Sequence, residues 1–81
     1  MNKATYKICI PHAEEVEKAL RAELSQPAPQ KGRVTLRVED GCLVIEIESP
    51  TLNGLRALSN SFLYLAHAAY SSLEAADRGP G

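Results

Sequence analysis

The sequence contains no tryptophan, one phenylalanine and only two cysteines among its 81 residues. Cys9 and Cys42 form no CxxC pair and have no cluster of histidines or cysteines around them, which excludes a zinc site of the usual spacing. The five glycines form no phosphate-binding loop of the Walker or dinucleotide type. We therefore expect no metal site and no cofactor.

The sequence also lacks long apolar runs and an excess of charge of either sign. No apolar run of about 18 residues occurs, and the opening MNKATYKICIP alternates in polarity, which is not typical of a leader peptide. Nine Lys and Arg stand against ten Asp and Glu, a net charge of −1. Charge alone would therefore not hold nucleic acid, and we expect a cytoplasmic protein without membrane contact.

Catalytic groups are equally scarce. The two histidines, His12 and His67, stand at a predicted helix start and on a predicted helix flank, without a nucleophile beside them. We interpret both as surface or interface residues. The carboxylates fall into helical ion pairs or onto one face of the predicted sheet. We expect neither an enzyme nor a small-molecule substrate.

The main feature of the sequence is a long helical segment at residues 50–76. Ser49 or Thr51 can cap its start, and Pro50 suits its first turn. Seven apolar residues share one arc at 100° per residue and predict a buried face. They are Leu55, Leu58, Phe62, Leu65, Ala66, Ala69 and Leu73.

The opposite face of this segment carries no formal charge from Ala57 to Leu73. A solvated helix face usually carries Lys and Glu, whereas this one has small residues around Tyr64, with Leu63 and Tyr70 on one flank. A helix of about 27 residues is roughly 40 Å long, so part of it should overhang the shorter strands. We expect a protein partner on this face; the alternative is a monomer that tolerates a weakly polar surface.

Two simpler segments come first in the chain. Residues 4–10 alternate apolar and polar side chains with a period of two and predict a strand. Residues 12–25 show the spacing of an amphipathic helix, with favourable charge pairs on the solvated side. Residues 26–32, which contain two prolines, predict a loop.

Residues 33–48 predict a hairpin. Asp40-Gly41 is a favoured two-residue hairpin turn and stands between two alternating runs. This turn would pair Glu39 with Cys42 and, at the far end, Arg33 with Glu48. Every apolar pair would then fall on one side of the hairpin, so the turn and the alternation predict the same register.

These segments predict one α+β domain over residues 1–81 with the order β-α-β-β-α. The simplest arrangement is a three-stranded antiparallel sheet of order 1-3-2, with both helices on one face and a long C-terminal helix. This order brings Cys9 close to Cys42 on the outer face of the sheet. Since intracellular thiols usually stay reduced, we expect two free thiols; a disulfide is the alternative.

Basic residues in and after the loop are candidates for contact with RNA. The acids Glu39, Glu46 and Glu48 dilute their charge, and the outer sheet face has no aromatic side chain for base stacking. We therefore favour solvated surface charge, with a share in a larger RNA-binding surface as the alternative. The candidates are Lys31, Arg33 and Arg37.

The start of the long helix carries a more specific pattern. In SPTLNGLRALSNSF, Leu55-Arg56 is followed after three residues by Asn60-Ser61-Phe62. This stretch resembles the signature of the small Pcc-type subunit of the KEOPS complex, a family that includes the CTAG-type eukaryotic relatives. The resemblance extends over nearly the whole chain, through the Ile10-Pro11 step, the loop and the hairpin.

The resemblance implies a non-catalytic scaffold subunit. It implies a homodimer that binds the catalytic ATPase-like subunit, which makes N6-threonylcarbamoyladenosine in certain tRNAs, and contact with tRNA only as part of the complex. An exposed sheet edge would serve dimerisation. For partner contact we expect six residues of the long helix: Arg56, Asn60, Leu63, Tyr64, His67 and Tyr70.

The chain departs from the family pattern at two places. Family members commonly show Ala-x-Asp where this chain has Ser49-Pro50-Thr51, and Arg-Ser where it has Lys31-Gly32. The second departure leaves open an auxiliary paralogue that caps the dimerising subunit. A stand-alone KH-like RNA-binding module is another alternative because it shares the element order, although no GxxG clamp is present. The third alternative is an enzymatic or ligand-binding domain.

Overall fold

The computed structural model describes residues 1–24 and 32–78, with only the backbone described at residues 77 and 78. The elements follow the predicted β-α-β-β-α order, and the strands form one antiparallel sheet of order β1-β3-β2. The predicted fold is confirmed. The elements are β1 (Asn2–Cys9), α1 (Ala13–Leu24), β2 (Arg33–Glu39), β3 (Cys42–Ser49) and α2 (Leu52–Arg78).

The β2–β3 hairpin has the predicted register. Glu39 pairs with Cys42 and Arg33 pairs with Glu48 across the two strands. Asp40 and Gly41 between them have φ angles of 51° and 76°, as a type I′ turn requires at both central positions. Glycine adopts this backbone conformation without steric cost, and aspartate is among the residues that tolerate it.

Both helices pack on one face of this sheet. α1 packs against β2 and β3, while α2 packs against β1 and β3. The apolar side of the hairpin and the predicted stripe of α2 meet there in one core. Its buried residues are Ala13, Val16, Leu20, Leu36, Leu43, Ile45, Ile47, Leu58, Phe62 and Ala66. The remaining stripe residues, Leu55, Leu65, Ala69 and Leu73, pack against this core and are partly buried.

The two cysteines correct an expectation. Cys9 at the end of β1 lies directly opposite Cys42 at the start of β3, and the two form a disulfide. The predicted closeness of the two residues on the outer face is confirmed. The expectation of two free thiols, which rested on the usual reduction of intracellular thiols, was wrong, because directly opposite positions with Cα atoms 4.0 Å apart bring the two sulfur atoms within bonding distance. The disulfide, which was the alternative, is present in the structure. Cys9 is exposed, whereas Cys42 is buried.

The helix boundaries differ slightly from the predicted ones. α2 begins at Leu52, two residues later than predicted, because Thr51 caps it and Pro50 precedes the cap. The Thr51 hydroxyl accepts a hydrogen bond from the Gly54 N–H at 2.9 Å, the usual geometry of an N-cap. α1 begins at Ala13; the predicted end of this helix at residue 25 and the loop before residue 32 lie outside the described residues.

Candidate interaction surface

One long side of α2 faces solvent. At 100° per residue, positions 56, 60, 64, 67 and 71 fall within an arc of about 80°, and all five are exposed. We call this strip the α2 face: Arg56, Asn60, Tyr64, His67 and Ser71. Tyr64 is 71% exposed, which is unusual for an aromatic side chain at the middle of a helix and leaves its ring available to a partner.

The α2 face is nearly free of charge. Arg56 is its only formally charged member, and no Asp, Glu, Lys or Arg occurs between Ala57 and Leu73. Leu52 at the start of the helix adds another apolar side chain that is 54% exposed. A helix that contacts only its own core usually carries charged residues on its outer side. The scarcity of charge on the α2 face therefore favours a surface that a partner covers.

A groove runs between α2 and the end of β1, on the flank of the α2 face. It has a volume of about 260 Å³ and an almost entirely apolar lining. We call it the apolar groove; its lining residues are Ile8, Ile10, Leu63, Ala66, His67 and Tyr70. His67 belongs both to the groove and to the α2 face, so the two surfaces are continuous.

Tyr70 is held in place at the groove. Its ring packs against the core, and its hydroxyl donates a hydrogen bond of 2.6 Å to the Glu74 carboxylate one helical turn later. The acceptor is charged, which makes this hydrogen bond stronger than one between neutral groups. Tyr70 therefore serves as a fixed part of the groove wall rather than a freely rotating side chain.

The six residues predicted for partner contact thus form two neighbouring groups. Arg56, Asn60 and Tyr64 lie on the α2 face away from the groove, whereas Leu63 and Tyr70 line the groove and are half-buried. His67 joins the groups. They occupy one side of one helix, but their degrees of exposure differ.

Two of the three basic residues predicted for RNA contact lie in the described part of the chain, and each is placed near a carboxylate. Arg37 on the outer face of β2 is bound by Glu39 at 3.0 Å and by Glu46 of β3. Hydrogen bonds to these carboxylates raise the pKa of the Arg37 guanidinium above its ordinary value, and they occupy the side chain. Arg33 lies on the same face opposite Glu48, and Lys31 lies outside the described residues.

Two members of the groove were not expected from the sequence. The alternation of the first strand predicts that Ile8 and Ile10 are buried, yet both are only half-buried and line the groove. The sequence signal for this was the Ile10-Pro11 step. β1 ends at Cys9, just before this step, and Ile8 and Ile10 lie on either side of that end, at the margin of the sheet where α2 does not cover them fully.

A metal site and a membrane-spanning helix have no counterpart in the described part of the chain. Among residues 1–24 and 32–78, no three His, Cys, Asp or Glu side chains are close enough together to hold a metal ion. None of the described helices combines the length and the apolar character needed to cross a lipid bilayer.

The structure is a small β-α-β-β-α domain whose most distinctive features are the exposed, nearly uncharged α2 face and the apolar groove beside it. The sequence matches the family described as transcription factor Pcc1 over residues 4–74. The chain therefore belongs to the Pcc1 family, the family of the small KEOPS subunit. This is a family of complex subunits with protein partners and is not a known catalytic family. Comparison with individual curated proteins gives no match.

Proposed function

We propose that this chain is a non-catalytic dimerisation and scaffold subunit of a KEOPS complex in the cytoplasm. It binds the catalytic ATPase-like subunit and supports the formation of N6-threonylcarbamoyladenosine in tRNA. The observation that carries the proposal is the exposed and nearly uncharged α2 face in a chain of this family. All chemistry would reside in the partner, and this subunit would contribute no catalytic group.

Contact with the catalytic subunit is assigned to the α2 face and to the adjoining groove wall. Tyr64 is the most exposed large side chain in the middle of α2, and large aromatic side chains at the centre of an interface commonly provide much of the binding energy. Small residues beside it allow a second helix to approach closely. The proposed contacts are Arg56, Asn60, Leu63, Tyr64, His67 and Tyr70.

Homodimerisation is assigned to the outer edge of β1. Within the described residues, no strand pairs with this edge, and its eight residues contain neither proline nor a bulge. An open edge of this kind can add a strand from a second copy. The edge of β2 is less accessible, because Arg21 of α1 donates a hydrogen bond of 3.3 Å to the backbone oxygen of Leu36.

Size-exclusion chromatography with light scattering tests the proposal. The protein is measured alone and then mixed with the catalytic KEOPS subunit of the same source. We expect a dimer that converts to a stable larger complex. A monomer without affinity for that subunit would contradict both assignments.

Substitution of Tyr64 by glutamate tests the α2 face. We expect the affinity for the catalytic subunit to fall at least about tenfold, since a carboxylate would be desolvated in the contact, while the thermal midpoint of the free protein stays the same. Lys18→Glu is the matched control, because it changes charge at an exposed position of α1. Unfolding by Tyr64→Glu would instead assign Tyr64 to the core.

Two alternatives are separated by further measurements. An auxiliary paralogue that caps the dimerising subunit would bind that subunit and not the catalytic one. A stand-alone KH-like module would bind RNA tightly by itself with a steep dependence on salt. Arg37 is already bound to two carboxylates, which does not favour RNA binding by the chain alone. We therefore propose contact with tRNA only within the complex. The candidates for that contact are Lys31, Arg33 and Arg37.

A further inference from the structure

The Cys9–Cys42 disulfide joins an edge strand to the central strand of the sheet. It lies on the outer face, away from the helices. Cys9 is exposed, whereas Cys42 is buried, so a thiolate from solution has an approach to the Cys9 sulfur. Exposed disulfides of this kind are more readily reduced than buried structural ones.

The disulfide stands at the final residue pair of the β1–β3 register. The Cα atoms of Cys9 and Cys42 are 4.0 Å apart, a separation typical of a non-hydrogen-bonded antiparallel pair. The preceding pair, Ile8 and Leu43, is then a hydrogen-bonded pair, in which the two residues exchange both N–H···O bonds. Among the described residues, β1 has a neighbouring strand on one side only, so the disulfide adds a covalent link at the end of an edge strand.

The end of β1 also forms a wall of the apolar groove. Side chains alternate along a strand, so Ile8 and Ile10, on either side of Cys9, point away from the disulfide and towards α2. Both line the groove opposite Leu63 and Tyr70. Cys9 is therefore the immediate neighbour in the chain of two residues that line the groove. A displacement of the Cys9 backbone on opening of the disulfide would move this wall of the groove.

We propose that the Cys9–Cys42 disulfide is a redox clasp that holds the β1 wall of the apolar groove in place. A dithiol opens it: one thiolate attacks Cys9 Sγ, the S–S bond breaks and Cys42 leaves as a thiolate. The second thiol of the reductant then displaces Cys9. The disulfide gains two electrons and two protons, and the dithiol becomes a disulfide. In the reduced protein, the end of β1 opens locally while the hairpin stays folded.

Backbone amide exchange by NMR on the chain alone tests this clasp. In the oxidised protein, the amides of Ile8 and Leu43 should exchange at rates similar to that of Val44, which pairs with Arg37 of β2. After reduction by dithiothreitol, Ile8 and Leu43 should exchange at least about tenfold faster than Val44, because local opening exposes them without global unfolding. An equal acceleration of all three amides, or no change, would overturn the proposal.

Two variants and a titration complete the test. The double variant Cys9→Ser and Cys42→Ser should reproduce the reduced pattern and should not respond to dithiothreitol. The double variant Cys9→Val and Cys42→Val keeps strand-favouring side chains without the covalent link, and protection of Ile8 in it would overturn the proposal. The folded protein is first exposed to an oxidised dithiol, and thiol titration after denaturation should then find no free thiol; two free thiols would also overturn the proposal.

Every measurement uses the chain without other subunits, so the outcome does not depend on the proposed complex. Amide exchange is measured at a concentration at which light scattering shows a monomer, because the proposed dimer would pair the outer edge of β1. The proposed cytoplasmic location bears on the clasp in one respect. Dithiol reductants are abundant in that compartment, where disulfides are more often transient or redox-sensing than structural. The clasp would therefore switch between its two states under the conditions of the cell.

Discussion

Gly32 lies where the chain enters β2, against the end of β3 and the start of α2. A Cβ atom at this position would lie 2.5 Å from Cδ1 of Leu58 and 2.8 Å from the backbone oxygen of Glu48. The first of these atoms is the end of a flexible side chain, whereas the carbonyl belongs to the central strand and is held there. Glycine at position 32 therefore fits the close packing at this point.

Replacement of Gly32 by alanine is expected to lower the free energy of unfolding by about 1–3 kcal/mol, because the added methyl group overpacks the site. Urea unfolding with an unchanged m value measures the loss. Gly41→Asn is the control: nothing lies within 4 Å of a Cβ there, and asparagine tolerates its φ of 76°. An unchanged midpoint for Gly32→Ala would show that the backbone at the entrance to β2 can shift.

At the scale of single residues, the sequence predicted the exposure of the α2 face better than that of β1. Tyr64 and His67 are exposed as their helical positions predict, because α2 offers the core only one side. Ile8 and Ile10 are apolar residues on the core side of a strand and were interpreted as buried. Their half exposure depends on where α2 crosses β1, and alternation within seven residues carries no information about that crossing.

At the scale of elements, the start of α2 depends on a small set of polar contacts. Thr51 accepts the Gly54 N–H, and the Thr51 N–H donates a hydrogen bond of 3.4 Å to the hydroxyl of the fully buried Ser49. A Cβ atom at Gly54 would lie 2.4 Å from the Ser49 hydroxyl and 2.9 Å from the Thr51 hydroxyl. Gly54 therefore leaves space for both hydroxyl groups at the first turn.

Thr51→Ala is expected to lower the free energy of unfolding by about 1 kcal/mol, because it removes the acceptor of a helix N-cap. Thermal or urea unfolding measures the change. Thr51→Ser retains the hydroxyl group and should lie within about 0.5 kcal/mol of the wild type, since serine and threonine cap helices comparably. Equal losses in both variants would contradict the cap and point to the threonine methyl group instead.

Element types and their order were predictable because each depends on residues close together in the chain. Alternation predicted the strands, helical spacing predicted α1 and α2, and the Asp40-Gly41 turn predicted the hairpin register. The exact start of α2 was less predictable. Ser49 and Thr51 are both good capping residues, and the choice between them was made by β3, which continues through Ser49 and buries it.

At the scale of the whole molecule, the disulfide compensates for small size. A domain of 81 residues buries a limited fraction of its surface and is often only marginally stable. The cross-link joins residues 33 positions apart and so restricts the unfolded chain. By the loop-entropy relation, a link of this span contributes about 3–4 kcal/mol to the free energy of unfolding.

Reduction, or the double variant Cys9→Ser and Cys42→Ser, is therefore expected to lower the free energy of unfolding by about 3–4 kcal/mol. Urea unfolding with and without dithiothreitol measures the difference. The double variant supplies the control, because its midpoint should not respond to the reductant. Identical midpoints for oxidised and reduced wild-type protein would show that the cross-link does not constrain the unfolded state.

The outer face of the sheet also depends on the whole molecule. Val44 points to this face, yet it is only 2% exposed. The strand order places it between Lys7 of β1 and Arg37 of β2, and the apolar stems of such side chains can cover a neighbour. The sequence of β3 by itself contains no information about these flanking residues.

The sequence by itself determined the α+β class, the order of elements, the hairpin register and the uncharged side of α2. These follow from local periodicity, turn chemistry and composition, which act between residues near each other in the chain. Only the tertiary structure decided the disulfide, the apolar groove and the division of the six predicted contact residues between groove and α2 face. Each of these joins segments that are far apart in the chain, and their meeting depends on the packing of β1, β3 and α2 together.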